Sequence, residues 1–440
     1  VFCMSGPDPP PEPQEPPPKG ALVFSSDFES GNLGEVTVVK EGVYDMTIRP
    51  DTNNTRHRVW FYFGVQNHFK GQTAVFNITN FSKTKSLYRN GMTPVTASTS
   101  KSNWERLLPR NVFYYRSPRL NCYVLSFVHT FETEGDEHFF SYSYPYTYTQ
   151  LQQLLHLMDS RKLPYYTRTE LTRTLQHRRL DKLVITSPRP APAGGKKKVV
   201  YLTARIHPGE SPASFVMHGV LDFLTSSDPI AEMLRAHIEF NIVPMLNPDG
   251  VFLGNYRCSS LGHDLNRHWT DAAEWSSPEL HAVKQDLARI AQQENKELNV
   301  FIDMHAHSTN MNAFCFANVT STDPKQLDRE VRFLRALDVT AKEFSLSSSR
   351  FCMDPTKAAT GRRALQELLV ESETLCYTLE VSFFAYHAFG AQPVPFTQDV
   401  MRPNHPTTKH LIQHLTGLRR VGAKHHACAH GVLQTSPHQQ

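Results

Sequence analysis

Two kinds of hydrophobic patterning divide the chain. In residues 22–149 the apolar and aromatic positions come in short runs, at 36–39, 59–63, 74–78 and 122–127, with Gly, Asn and Pro between them. Recurrent short strands punctuated by turn residues predict an all-β sandwich. After it the period changes. Residues 150–159 predict a helix, and 199–204, 240–246, 300–304 and 377–381 are apolar runs bounded by polar loops, with helix-like segments between them. Across 211–224, Phe215, Val216, Gly219, Val220, Phe223 and Leu224 repeat at helical spacing, and Pro212 suits a first turn. Alternating strands and helices predict an α/β layer domain over 150–418 with a mostly parallel central sheet. The flanks lack such patterning. Residues 1–21 are rich in Pro, Glu and Gln and predict a disordered leader of polyproline character, and the His-rich stretch 419–440 predicts a disordered tail.

Composition narrows the classes. A chain of 440 residues holds two or three domains. The formal net charge of +4 is mildly basic and favours an acidic partner or substrate. No zinc finger, RNP motif or long basic helix is present, so nucleic acid is not the expected partner. No run of about eighteen apolar residues exists, so membrane insertion is not expected, and no charged segment leads into an apolar core as in a secretory signal. The chain begins with Val1 rather than Met, and a native piece before it is expected. The 7 cysteines are scattered and odd in number, which points to a reducing, cytoplasmic compartment.

The chemistry centres on His207-Pro-Gly-Glu210, which falls between the strand-like run at 199–204 and the helix-like run at 211–224. Zinc takes an imidazole and a carboxylate so spaced as two of its ligands, and a catalytic zinc needs one more plus a water position. With 22 histidines, about one such spacing is expected by chance. A second one, His129-Thr-Phe-Glu132, lies in a strand-like run, where residues three apart point to opposite faces and cannot chelate one ion. In open α/β sheets, sites form beyond the carboxyl ends of strands. The next strand end carries Ile302-Asp-Met-His-Ala-His307, with His305 as the preferred third ligand and His307 as its rival, since both share a face of a continuing strand. Asp303 is placed either to receive a hydrogen bond from a ligand imidazole or simply to serve the fold. Glu380 ends an apolar strand and is either part of a structural ion pair or the general base beside a zinc-bound water. Arg257 and Arg267 follow the turn Asn247-Pro-Asp-Gly250; near a metal they would suit a substrate with a free carboxylate, and otherwise they are surface or ion-pairing residues.

Taken in order, His-Pro-Gly-Glu, Asn-Pro-Asp-Gly, Asn255-Tyr-Arg257, Asp264-Leu-Asn-Arg-His-Trp269, Asp303-Met-His-Ala-His-Ser308 and Tyr377-Thr-Leu-Glu380 resemble the M14-type zinc metallocarboxypeptidases, and more narrowly the cytosolic carboxypeptidases, the tubulin deglutamylase group. Phe28-Glu-Ser-Gly-Asn-Leu33, Trp60-Phe-Tyr-Phe-Gly-Val-Gln-Asn67, Ser86-Leu-Tyr-Arg-Asn-Gly-Met92 and Tyr144-Pro-Tyr-Thr-Tyr-Thr149 resemble that group's N-terminal sandwich. The resemblance spans residues 22 to 390. It implies a carboxypeptidase-like α/β/α domain with a mixed central sheet after the all-β sandwich. It implies one Zn2+ per chain, held by His207, Glu210 and His305. Arg257 falls on the arginine that holds the oxyanion, Asn266 and Arg267 on the pair gripping the terminal carboxylate, and Glu380 on the catalytic base. A basic residue selecting glutamate is sought in the segment with Lys357 and Thr360-Gly-Arg362; Arg362 is preferred, with Arg363 its neighbour. The implied substrates are polyglutamylated tubulin or other acidic protein tails, at microtubules, centrioles or cilium bases within the cytosol. Two departures stand out: Ala306 replaces the glycine usual between the two histidines, and Ser260-Leu-Gly-His263 replaces a segment that usually carries a small residue and an arginine. Three other functions are weighed: a zinc amidohydrolase of small N-acyl amino acids, which would leave the sandwich domain surplus; a non-catalytic acidic-tail or microtubule-binding module, which would have no use for the ligand set and Glu380; and peptide-end trimming with no preference for glutamate.

Overall fold

The computed structural model describes residues 17–188, 195–318, 324–351, 354–387 and 392–397; the leader up to residue 16 and the 419–440 tail lie outside them. By Pro18 the chain is already packed, since Asn67 Nδ2 donates to the Pro18 and Ala21 carbonyls at 3.0 and 2.8 Å.

The N-terminal part is two five-stranded sheets. One orders Val23–Ser25, Tyr62–Gln66, His138–Ser141, Val95–Ser98 and Glu105–Arg106; the other orders Val36–Lys40, Val43–Met46, Thr73–Ile78, Cys122–Thr130 and Val112–Ser117. Period-2 alternation makes the core. In Thr73–Ile78 the residues Ala74, Phe76 and Ile78 are buried and their neighbours are not. Phe76 sits opposite Phe127 in register and packs against both Phe127 and Phe140 with centroids 5.3 Å apart. The apolar run at 59–63 is only partly strand. The ladder begins at Tyr62, while Val59, Trp60 and Phe61 are buried in irregular backbone, with Trp60 Nε1 donating to the Ser30 carbonyl at 2.9 Å.

His129 and Glu132 do part, although the strand Cys122–Thr130 ends before Glu132 and strand parity is not what separates them. Glu132 turns outward to Lys101 at 2.7 Å, whereas His129 packs against Phe131, Phe140 and His138. His68 stacks on Phe131 at 4.1 Å and completes a buried cluster of three imidazoles. Burial pushes His129 and His138 down to about 4.

Thr147 and Gln150 form a capping box that starts the helix Tyr148–Ser160 and leads into the second domain. Its eight-stranded sheet orders Tyr166–Arg173, Arg179–Ile185, Ile238–Val243, Lys197–Ala204, Lys296–His307, Leu375–Ser382, Phe314–Ala317 and Arg350–Phe351. The four central strands, from Ile238–Val243 to Leu375–Ser382, are mutually parallel, and both neighbours that flank them run antiparallel, so the sheet is mixed. Alternate residues of Lys197–Ala204 face two separate cores. Val200, Leu202 and Ala204 pack with the helix Ser211–Leu224, and Val199 and Tyr201 with the helix Pro278–Ala291. Helices therefore cover both faces. The strand Ile238–Val243 stops before the apolar run does, because its ladder with Lys197–Ala204 ends at the pair Thr203 and Val243; Met245 and Leu246 stay buried without being strand. No helix of the described residues is long and apolar enough to cross a membrane.

The unfolded chain binds protons at His129 and His138 below about pH 6.5, while the folded chain does so only near 4. Stability contributed by these neutral imidazoles is thus present above pH 6.5 and lost as pH falls toward 4. Relative to a His129→Gln/His138→Gln variant, the wild type should lose on the order of 1 kcal/mol per histidine between pH 7 and 5 in urea titrations. Equal pH slopes for the two proteins would contradict this assignment.

Candidate active site

The carboxyl ends of the four parallel strands converge on one cleft of about 310 Å³. The strand Lys197–Ala204 ends in Arg205, whose backbone adopts φ 62° and swings the chain into His207-Pro-Gly-Glu210. This left-handed turn is strained for a residue with a side chain and is held by the surrounding contacts. The buried Arg205 guanidinium donates to the Pro208 carbonyl at 2.7 Å, the Tyr146 carbonyl at 3.0 Å and Ser214 Oγ at 2.8 Å. Burial lowers its pKa to about 9. Gly209 is required for a close approach, since a Cβ there would lie 2.6 Å from the Tyr256 ring.

His207, Glu210 and His305 come together, all buried, with one donor atom from each within 4.8 Å of the others. His207 Nδ1 lies 2.8 Å from Glu210 Oε1, His305 Nδ1 lies 3.0 Å from Glu210 Oε2, and the two Nδ1 atoms are 3.2 Å apart. A tetrahedral zinc with bonds of about 2.0–2.1 Å holds its donors about 3.3–3.4 Å apart. The donor set therefore fits zinc in both kind and spacing. The far nitrogen of each ring faces a carboxylate: His207 Nε2 lies 3.0 Å from Asp264 Oδ1, and His305 Nε2 lies 2.6 Å from Asp303 Oδ2. This backing fixes ring orientation and leaves both Nδ1 atoms toward the cluster. Asp303 is itself held by Thr203 Oγ1 at 2.8 Å. Burial opposes charge on Glu210, but His207 and His305 outweigh it and hold its pKa well below the usual range; burial likewise opposes charge on His305, and Asp303 and Glu210 outweigh it and hold that pKa well up.

His307 stays outside the cluster. It lies one strand repeat further on, its Nδ1 accepts from the Asn310 N–H at 3.1 Å, and burial, with Lys83 next, pushes it down to about 4. Ala306 between the two histidines has its methyl in the sandwich core and donates its N–H to Glu210 Oε2 at 3.0 Å.

Glu380 pairs in register with His305 on the neighbouring strand, and it is half-buried in the cleft wall. Burial pushes it up to about 7 despite the opposing pull of His305. Arg257 is gripped by Asp264 at 2.7 Å through both Nε and Nη2. Asp264 also accepts from the Asn266 N–H at 3.0 Å and so caps the turn Leu265–Arg267. Asn266 Oδ1 accepts from the Gly361 N–H at 2.9 Å, which joins this turn to the helix Gly361–Leu368. Arg362 of that helix lines the cleft with Lys357 and Thr360, its guanidinium donating to Asn318 Oδ1. Arg363 does not line the cleft and lies 3.9 Å from Glu367 instead.

Several of these residues carry no local signal in sequence. Asp51 of the sandwich accepts the N–H groups of Tyr256, Arg257 and Cys258 at 2.7, 2.7 and 2.8 Å. Thr52 donates to Asn255 Oδ1 at 3.0 Å, and Asn53 and Asn54 donate to the Ser260 and Gly262 carbonyls, both at 2.9 Å. One sandwich loop thus holds the whole segment that presents Arg257. These partners are separated by more than two hundred residues, beyond the reach of any spacing rule. Asp264 stood in the Asp-Leu-Asn-Arg motif and could have been found there.

Comparison with known proteins agrees with this geometry. Residues 24–142 match the cytosolic carboxypeptidase N-terminal domain, and residues 151–345 match the zinc carboxypeptidase family. The chain is 50% identical to human cytosolic carboxypeptidase 6 over 386 residues, covering 87% of this chain and 76% of the relative. It is 46% identical to the Caenorhabditis elegans protein of the same name over 374 residues, 84% and 80% of the two chains. Mouse cytosolic carboxypeptidase 2 is 36% identical over 379 residues, 83% of this chain and 43% of that one. The fold is similar to a metallo-carboxypeptidase from Burkholderia cenocepacia, with a TM-score of 0.75 and 22% identity over 90% of this chain and 97% of that one. The chain belongs to the cytosolic carboxypeptidase family of M14 enzymes and is a zinc-dependent metallocarboxypeptidase acting on peptide or protein substrates.

Proposed function

We propose that the enzyme removes glutamate, one residue at a time, from the ends of acidic chains: C-terminal tails and polyglutamate side chains of proteins such as tubulin. The observation that carries this reading is the single cleft in which His207, Glu210, His305 and Glu380 meet a wall of Arg257, Arg267, Lys357 and Arg362. The relatives' name, cytosolic carboxypeptidase, supports a cytosolic setting.

His207, Glu210 and His305 are assigned as the ligands of one zinc ion. Bound there, zinc supplies a Lewis acid for the scissile carbonyl and brings the pKa of a water toward neutrality. Glu380 takes the proton of the attacking water and returns it to the leaving amine; a carboxyl poised at about 7 can exchange a proton in both directions near neutral pH. Arg257, fixed from both sides by Asp264 and by the Asp51 clamp on its backbone, presents a permanent charge to the oxygen on which negative charge develops. Asn266 and Arg267 hold the terminal carboxylate, which restricts cleavage to the chain end. Arg362, beside Lys357 and Thr360, takes the side-chain carboxylate of the released residue.

Mass spectrometry of a glutamylated tubulin-tail peptide should show stepwise loss of glutamate that a chelator abolishes; an intact peptide with zinc-loaded enzyme would refute the substrate. Glu380→Gln should retain stoichiometric zinc by elemental analysis and lose at least about 10²-fold in kcat. An active Glu380→Gln enzyme would remove Glu380 from the mechanism. Arg362→Gln should lower kcat/KM for glutamate ends more than for neutral ends, and an equal fall on both would contradict the pocket assignment. Asp264→Asn should weaken zinc binding by about 10–100-fold in chelator competition, with unchanged affinity as the contrary result.

A further inference from the structure

Lys83 stands in the catalytic cleft although it belongs to the other domain. It comes just after the sandwich strand Thr73–Ile78, and its half-buried Nζ donates to Tyr256 Oη and to Ser308 Oγ, the latter at 2.6 Å. The same Nζ lies 4.6 Å from the centroid of the Tyr256 ring. Two other lysines sunk into the fold have carboxylate partners: Lys182 meets Asp286 at 2.5 Å and Lys296 meets Glu239 at 2.7 Å. Among the described residues Lys83 forms no such ion pair; it is held by two hydroxyl groups. Two neutral acceptors orient an ammonium without compensating its charge, and a cation so placed at the wall of a cleft favours an incoming anion.

Its position in the cleft says which anion. The Asn266–Gly361 bond joins the turn that carries Arg267 to the helix that carries Arg362. Ser308 follows the end of the strand Lys296–His307, three residues past His305, and it is there that Lys83 docks. With the last residue gripped by Asn266, Arg267 and Arg362 and the scissile carbonyl at the His207–Glu210–His305 cluster, Lys83, held by Tyr256 and Ser308, is a cation of the same cleft left for the preceding residue.

We infer that Lys83 is a specificity-determining residue that binds the carboxylate side chain of the residue preceding the scissile bond. The inference rests on the substrate orientation given under Proposed function, and it extends the demand for acid from one residue to two. The sandwich domain then contributes directly to substrate choice, and trimming slows once the residue before the terminal glutamate is no longer acidic.

The test compares otherwise identical peptides ending in Glu-Glu and in Gln-Glu with the zinc-loaded full chain. The wild type should favour the first by about tenfold in kcat/KM, and the preference should shrink as salt rises. In Lys83→Met the ratio should fall to about one whatever the absolute rate, in Lys83→Arg it should persist, and Lys83→Glu should favour Lys-Glu ends. Because the readout is a ratio, a general loss of folding or zinc leaves it unmoved. A wild-type ratio near one, or an unchanged ratio in Lys83→Met, overturns the role of Lys83. If terminal glutamate is not released, the same upstream pair is compared on peptides ending in the residue the enzyme does release. That failure then falls on the glutamate reading, and the upstream ratio still decides the case of Lys83.

Discussion

The structure depends on one shared carboxylate. Glu210 reaches His207 with one oxygen and His305 with the other, and both rings are backed by further carboxylates, Asp264 and Asp303. Such a concentration of ionisable groups below the surface costs several kcal/mol per charge unless something compensates it. A dication at the meeting point of the two Nδ1 atoms and Glu210 does so, and the spacing of these donors matches tetrahedral zinc. The strained turn at Arg205, the glycine at 209 and the parallel register of the His305 and Glu380 strands all serve to bring groups to that point.

The sandwich is part of the site rather than an appendage. Asp51 satisfies three consecutive backbone N–H groups around Arg257 with a single side chain. Tyr256, Ala306 and Phe383 pack in the sandwich core, so the hydrophobic contact between domains continues into the metal-bearing loop and strand. Arg205 reaches back to the Tyr146 carbonyl at the junction. Preorganised charge is the largest lever on a developing oxyanion, and the oxyanion role proposed for Arg257 would draw that preorganisation in good part from residues in the other half of the chain.

What sequence can and cannot show follows from the range of each interaction. Helical and strand periods are local, so 211–224 and 199–204 were legible as a helix and a strand, and the pair His207 and Glu210 was legible because it falls on the loop between them. Strand parity could not choose between His305 and His307, which share a face. Distance along the strand did, since two residues advance the chain by about 6.6 Å, past the reach of Glu210. The run at 240–246 was read as too long a strand because hydrophobicity marks burial, whereas strand length is set by where the partner ends. Asp51 and Lys83 were invisible because a polar loop residue finds its partners only when distant segments meet.

The most direct test of the account is the metal itself. X-ray absorption at the zinc edge, with anomalous diffraction to locate the ion, should find one zinc per chain bound by two imidazole Nδ1 atoms and the Glu210 carboxylate at about 2.0–2.2 Å. A zinc bound elsewhere, or one that takes His307 in place of His305, would contradict it.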